Sequence, residues 1–158
     1  MTGEPDVALV EMTVDELGAW LPGALERFVA ARVAAGESPA RANSAASAQR
    51  EMSVPGGTPA PGHYVLHLVV KGERVGALWI YPGYTSSSPE RYVFLVELDS
   101  AHDDETNRRA AIRAAERWAV GDGATRLALS VFGSAASTHA YEQLGYVVAA
   151  TSMFKTLR

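Results

Sequence analysis

Tyr92-Val-Phe-Leu-Val-Glu-Leu98 is apolar on both faces apart from one carboxylate, Glu97. A strand that buries both faces belongs inside a sheet. A polar turn, Asp103-Asp-Glu-Thr-Asn-Arg-Arg109, leads from it into an amphipathic stretch ending Glu116-Arg-Trp-Ala119, which reads as a helix. Leu127-Ala-Leu-Ser-Val131 is a second apolar run of strand length. A helix closing on Ala140-Tyr-Glu-Gln-Leu-Gly-Tyr146 and a last strand, Ser152-Met-Phe-Lys-Thr-Leu157, complete a β-α-β-α-β order.

Upstream, Val7-Ala-Leu-Val10 is a short strand, and Thr13-Val-Asp-Glu16 is a capping box that opens a helix, with Met12 and Leu17 placed as its hydrophobic staple. Leu17, Trp20, Leu21, Leu25, Phe28, Val29 and Val33 recur at helical spacing until Gly36. Pro22-Gly23 interrupts them, which predicts a kink or two abutting helices. Ser38-Pro39 is an N-cap followed by proline at the first helical position, for an Ala- and Ser-rich helix to about Met52. A Pro/Gly loop from Val54 to Gly62 precedes two runs, His63–Val70 and Arg74–Tyr81, joined at Lys71-Gly-Glu73 as a hairpin. Pro82–Arg91, with three serines, is expected to be a flexible loop. No internal repeat is visible. The order β, α, α, β, β, β, α, β, α, β predicts one α/β domain over residues 1–158, a sandwich with a mixed sheet flanked by helices.

At 158 residues with 47% apolar content, the chain suits a single core. A net charge of −4 without basic blocks argues against nucleic acid or an anionic membrane as partner. No apolar run approaches the roughly 20 residues of a membrane span. Met1-Thr-Gly-Glu-Pro-Asp6 lacks the basic-then-apolar pattern of a secretion signal, so a cytoplasmic protein is expected. The absence of cysteine excludes disulfides, zinc thiolates and a cysteine nucleophile. His63, His67, His102 and His139 do not have metal-helix spacing, and no metal is expected; His63 and His67 share a strand face that could look into a cleft.

The order of these fragments resembles the GCN5-related N-acetyltransferases over nearly the whole chain. One branch of that family is similar in its amino-terminal helical pair, in Pro61-Gly-His63 and Val75-Gly-Ala-Leu-Trp79, and in Tyr141-Glu-Gln-Leu-Gly-Tyr146 followed by Met153-Phe-Lys155. The resemblance implies that fold, with a central mixed, mostly antiparallel sheet, and N-acyl transfer from acetyl-CoA to a small amine. It implies that Val96 and Leu98 lie on the strand that meets the pantetheine arm, and that Asn107, Arg108, Arg109 and Ser134 lie where the cofactor is held. Glu97 matches an acidic position that deprotonates the incoming ammonium. Tyr141 matches a tyrosine that protonates the leaving thiolate, and phenols keep their proton up to about pH 10. The family also pairs into homodimers.

The departures are local. In the family the turn after the central strand has a Gln/Arg-x-x-Gly-x-Gly/Ala pattern, whose amides and helix N-terminus wrap a pyrophosphate. Counted without gaps from Glu97-Leu-Asp99, the basic position falls on Asp103 and the small positions on Thr106 and Arg108, with Asp104 and Glu105 also acidic. Phe132-Gly-Ser-Ala135 is one residue short of the family's asparagine, with Ser134 nearest. Acids in a helix's first turn are also ordinary caps. Glu97 could equally pair with an arginine such as Arg74 or Arg91, and Tyr141 could be core. Two functions therefore stay open: a transferase, or a degenerate relative that binds no coenzyme A and serves as a ligand-binding or interaction module, such as a dimeric regulatory subunit.

Overall fold

The computed structural model describes residues 3–83, 89–131, 135–151, 153 and 155–157. Five strands lie side by side in chain order: β1 (Val7–Glu11), β2 (Tyr64–Val70), β3 (Glu73–Tyr81), β4 (Glu90–Leu98) and β5 (Arg126–Leu129). The first four pair antiparallel and β5 joins β4 in parallel, the mixed sheet that the sequence pattern predicts. Lys71 (φ 51°) and Gly72 (φ 79°) form the turn between β2 and β3. Two successive positive-φ residues match the twist of a tight hairpin.

Alternation along the strands makes two apolar faces. Leu66, Leu68, Leu78, Ile80 and Val93 meet an alanine stripe, Ala110, Ala111, Ala114, Ala115 and Ala119, on α3 (Glu105–Gly121). Buried alanine loses no rotamer freedom, so this face orders at little entropic cost. On the other face Val65, Trp79, Phe94 and Leu95 meet Leu17 and Leu21 of α1 (Val14–Ala34), with α2 (Pro39–Ser53) packed on α1. Trp79 is fully buried, with the Phe94 ring at 4.7 Å in an edge contact.

The capping box forms as read: Thr13 N–H donates to Glu16 Oε1 at 2.9 Å, and Glu16 N–H donates to Thr13 Oγ1 at 3.1 Å. Those bonds, and next Arg74 and His67, hold the Glu16 carboxyl down at about 2. α1 then runs unbroken through Pro22, so two abutting helices do not form. Pro22 forfeits one hydrogen bond, while buried Leu17, Leu21, Ala24 and Phe28 hold both halves against the sheet.

Three expectations change. Glu90 and Arg91 belong to β4 rather than to a loop, because they pair with Arg126 and Leu127; residues 84–88 lie outside the described residues. The buried Arg91 donates to Asp122 Oδ2 and to the Asp122 carbonyl, both at 3.0 Å, which fixes this end of the ladder. β5 stops at Leu129, short of Val131. The last strand does not form among the described residues: Thr151, Met153 and Lys155–Leu157 are unpaired in any ladder, and Met153 is 90% exposed. β5 is the edge it would join, and four residues supply few ladder bonds. α4 (Ala135–Glu142) ends in a turn at Gly145 (φ 97°).

Candidate functional site

β4 carries a bulge. Trp79 faces Leu95 but Ile80 faces Val93, so Phe94 is one residue more than β3 can match. Phe94 and Leu95 both pack on the α1 side, which breaks the alternation. The β4–β5 ladder ends at Val93↔Leu129, directly before the bulge, and beyond it β4 continues on β3 alone as far as Leu98. The two strands therefore part. A cleft of about 690 Å³ opens between them, walled by Val93–Glu97, by Leu129–Val131, by Arg27, Phe28 and Arg32 of α1, by the start of α3, by Tyr141 of α4 and by Leu144 in the turn after it.

Glu97 and Tyr141 both line this cleft. Glu97 is already engaged: Arg27 Nε donates to its Oε2 at 3.0 Å and Arg27 Nη2 to its Oε1 at 2.6 Å. Such a two-point guanidinium–carboxylate contact is strong for an ion pair, and the hydrogen bond to Glu97 raises the pKa of Arg27. Phe28 against Phe94, with centroids 4.4 Å apart, brings this turn of α1 to the bulge. Arg32 lies over Phe28 at 5.2 Å and forks onto Glu37 at 2.6 and 3.0 Å. Tyr141 meets Tyr146 edge-on at 5.9 Å. The Tyr146 hydroxyl donates to Glu116 Oε2 at 2.7 Å, and burial followed by that bond pushes its pKa up.

The entrance of α3 forms the far wall. Asp104 is the N-cap, accepting from Asn107 N–H at 2.8 Å. Asp103 takes Arg108 Nη2 at 2.5 Å, and Glu105 takes Arg109 Nη2 at 2.9 Å. The Asn107 amide donates to the His102 carbonyl at 3.0 Å and to Asp104 Oδ2 at 2.9 Å. His102 Nδ1 lies 2.6 Å from Asp99 Oδ1, and that bond raises the histidine's pKa.

No family model matches the chain. It is 26% identical over 152 residues, 94% of this chain and 97% of the relative, to YdgE of Bacillus subtilis strain 168, an uncharacterized N-acetyltransferase. The crystal structure of YycN from Bacillus subtilis, a candidate acetyltransferase, superposes with a TM-score of 0.82 at 23% identity, covering 96% of this chain and 99% of that one. Aminoglycoside N-acetyltransferase AAC(6')-Iy, solved in complex with CoA, superposes with a TM-score of 0.57 at 14% identity over 100% and 99% of the two chains. The chain has the fold of the GCN5-related N-acetyltransferases and is similar in sequence to a named N-acetyltransferase.

The cleft is half suited to a cofactor. The β4 edge beyond Val93 has no β5 partner, so an extended arm can lie along it. The α3 entrance is filled from within. An amide that would meet a phosphate is taken by Asp104, and both arginines are paired with acids of the same turn. Five charged side chains there sum to −1, three acids against two arginines, which an incoming diphosphate would feel as repulsion.

Of the residues singled out in the sequence, Val96, Glu97, Arg108, Arg109 and Tyr141 share the cleft. Leu98 packs on the sheet's α3-side core, Asn107 is spent in the helix cap, and Ser134 lies outside the described residues. The partner of Glu97 is Arg27, not Arg74 or Arg91; Arg74 binds Glu16 and Arg91 binds Asp122. His63 and His67 are buried on the α1 face away from this cleft. His63 Nδ1 sits 2.9 Å from Ser53 Oγ, and burial lowers its pKa. Sequence reading missed Arg27, Phe28 and Arg32. Phe28 was visible as part of an apolar stripe, and nothing local marked the two arginines.

Proposed function

We propose that this chain is an acyl-CoA-dependent N-acetyltransferase acting on a small amine. The observation that carries the reading is the parting of β4 from β5 at the Phe94 bulge, which exposes Glu97 and Tyr141 to one cleft. In this reading Glu97 takes the proton of the acceptor's ammonium and the Tyr141 hydroxyl supplies one to the leaving sulfur, while Val96 backs the open edge. Bound acetyl-CoA would supply the acyl thioester, and Arg108 and Arg109 are the cations available to its phosphates once they release Asp103 and Glu105. The named activity of YdgE and the CoA complex of AAC(6')-Iy support the donor. A small amine acceptor is supported by AAC(6')-Iy with the bisubstrate analogue CoA-S-monomethyl-acetylneamine.

A second reading rests on the α3 entrance. Asp104 caps the helix and the neighbouring acids hold both arginines, which favours a chain that has given up coenzyme A and uses the cleft for another ligand or for a partner. Thermal melting with acetyl-CoA separates the two. Ligand at ~1,000 times its Kd stabilises by about 4 kcal/mol, so a micromolar site gives a clear upward shift at millimolar ligand. An unchanged midpoint removes the transferase and leaves the second reading. Light scattering after size exclusion reads whether copies pair.

A further inference from the structure

We infer that Arg27 sets acceptor specificity, and that the acceptor is an amine carrying a carboxylate close to its amino group. The inference deepens the transferase reading and rests on it for the chemistry, though not for the binding. Both oxygens of Glu97 are occupied by Arg27 Nε and Nη2, at 3.0 and 2.6 Å. An amine that reaches Glu97 must displace that guanidinium or crowd a second cation onto one carboxylate. Either way one positive charge loses its two-point carboxylate partner. The acids in and beside the cleft are engaged: Glu37 holds Arg32, Asp103 holds Arg108, Glu105 holds Arg109 and Asp104 caps α3, while Glu26, which also acts on Arg27, lies outside the cleft lining.

An acceptor that brings its own carboxylate resolves this by exchange of partners. Its ammonium takes the place of Arg27 on Glu97, and its carboxylate takes the place of Glu97 on Arg27. The number of ion pairs is conserved, and the fork of Arg27 is shaped for a carboxylate. The geometry makes Arg27 the mobile member. Its side chain is 55% exposed against 23% for Glu97, which is fixed on a strand. Its Nη1 also lies over Gly23: a Cβ on that residue would stand 3.0 Å from it, so the missing side chain leaves the guanidinium room on the helix surface. A polycationic amine, or one with no anion, gains no such exchange.

The test is a melting series on the purified protein with matched ligands: L-alanine, β-alanine and L-glutamate, each against its amide and its methyl ester, with affinities then measured by calorimetry. At least one free acid should raise the midpoint and bind tenfold or more tightly than its amide. Arg27→Gln should erase that preference. Glu97→Gln, which frees Arg27, should keep it, and serves if Arg27→Gln does not fold. Amides or esters binding as well as acids, a preference that survives Arg27→Gln, or no response to any free acid would each overturn the inference. Acid-selective binding without any response to acetyl-CoA would uphold it and fail the transferase. Turnover of plain amines in preference to acids would do the reverse.

Discussion

Gly76 of β3 and Glu97 of β4 touch through their backbones: a Cβ built on Gly76 would stand 2.1 Å from the Glu97 carbonyl oxygen and 3.0 Å from the Leu98 Cα. The close approach is what seats the candidate base at its place on the cleft wall. Gly76→Ala forces the two strands apart just where Ala77 pairs with Glu97. Overpacking of this kind costs ~1–3 kcal/mol, and at ~2–4 °C per kcal/mol for a chain of this size the melting midpoint should fall by several degrees. A variant that melts with the parent would show that β4 does not need this contact.

Releasing the two arginines at the α3 entrance should favour an anion. Asp103→Asn with Glu105→Gln removes two negative charges and the partners of Arg108 and Arg109, while Asp104 still caps the helix. A like charge ~4 Å from a phosphate opposes binding by ~1 kcal/mol in water and by ~4 kcal/mol near a protein surface. Acetyl-CoA should therefore bind the double variant at least tenfold more tightly, by calorimetry. Equal affinity would mean that the acids do not govern this site. By contrast, Asp104→Ala should lower stability by about 1 kcal/mol through the lost cap.

The sheet was legible because its information is local. Alternation gave the hairpin and the apolar two-faced run gave the central strand. Thr13-Val-Asp-Glu16 and Ser38-Pro39 gave two helix starts to the residue. The acids of 103–105 were readable as first-turn residues, but which one caps depends on backbone angles at Asp104. The bulge at Phe94 was not legible, since one extra residue against β3 leaves no mark in a single strand's pattern. The Arg27–Glu97 pair spans 70 positions, and only the packing of α1 on the bulge brings the two together. The last strand was expected from its composition, whereas forming it also requires an edge long enough to hold it.

His102 gives the entrance a pH dependence. Its folded pKa is raised above the ordinary 6.5, first by the hydrogen bond to Asp99 and then by nearby acids. A raised folded value means that the protonated ring contributes stability that is fully present below about pH 6.5 and is lost as pH climbs through the folded pKa. Asp99→Asn should move the histidine's titration, followed by NMR at its ring carbons, back toward 6.5. The pH dependence of melting should flatten above pH 6.5. A histidine that titrates identically in parent and variant would remove Asp99 as the cause.

Tyr141 and Tyr146 face each other edge-on, yet the two hydroxyls should behave differently when removed. Tyr146 bonds Glu116 at 2.7 Å and ties the segment after α4 to α3. Tyr146→Phe should therefore lower stability by ~1.5–3 kcal/mol, the range for a hydrogen bond to a charged group, and leave turnover by the folded protein nearly unchanged. Tyr141→Phe keeps the ring and its packing, so melting should barely move. If its hydroxyl delivers the proton to the leaving sulfur, kcat should fall by ~10²–10⁴, the usual weight of a general acid, while acetyl-CoA affinity stays within about twofold. Equal turnover in parent and Tyr141→Phe would leave the tyrosine a packing residue and require another source for that proton. A loss of binding together with turnover would assign its hydroxyl to holding the donor.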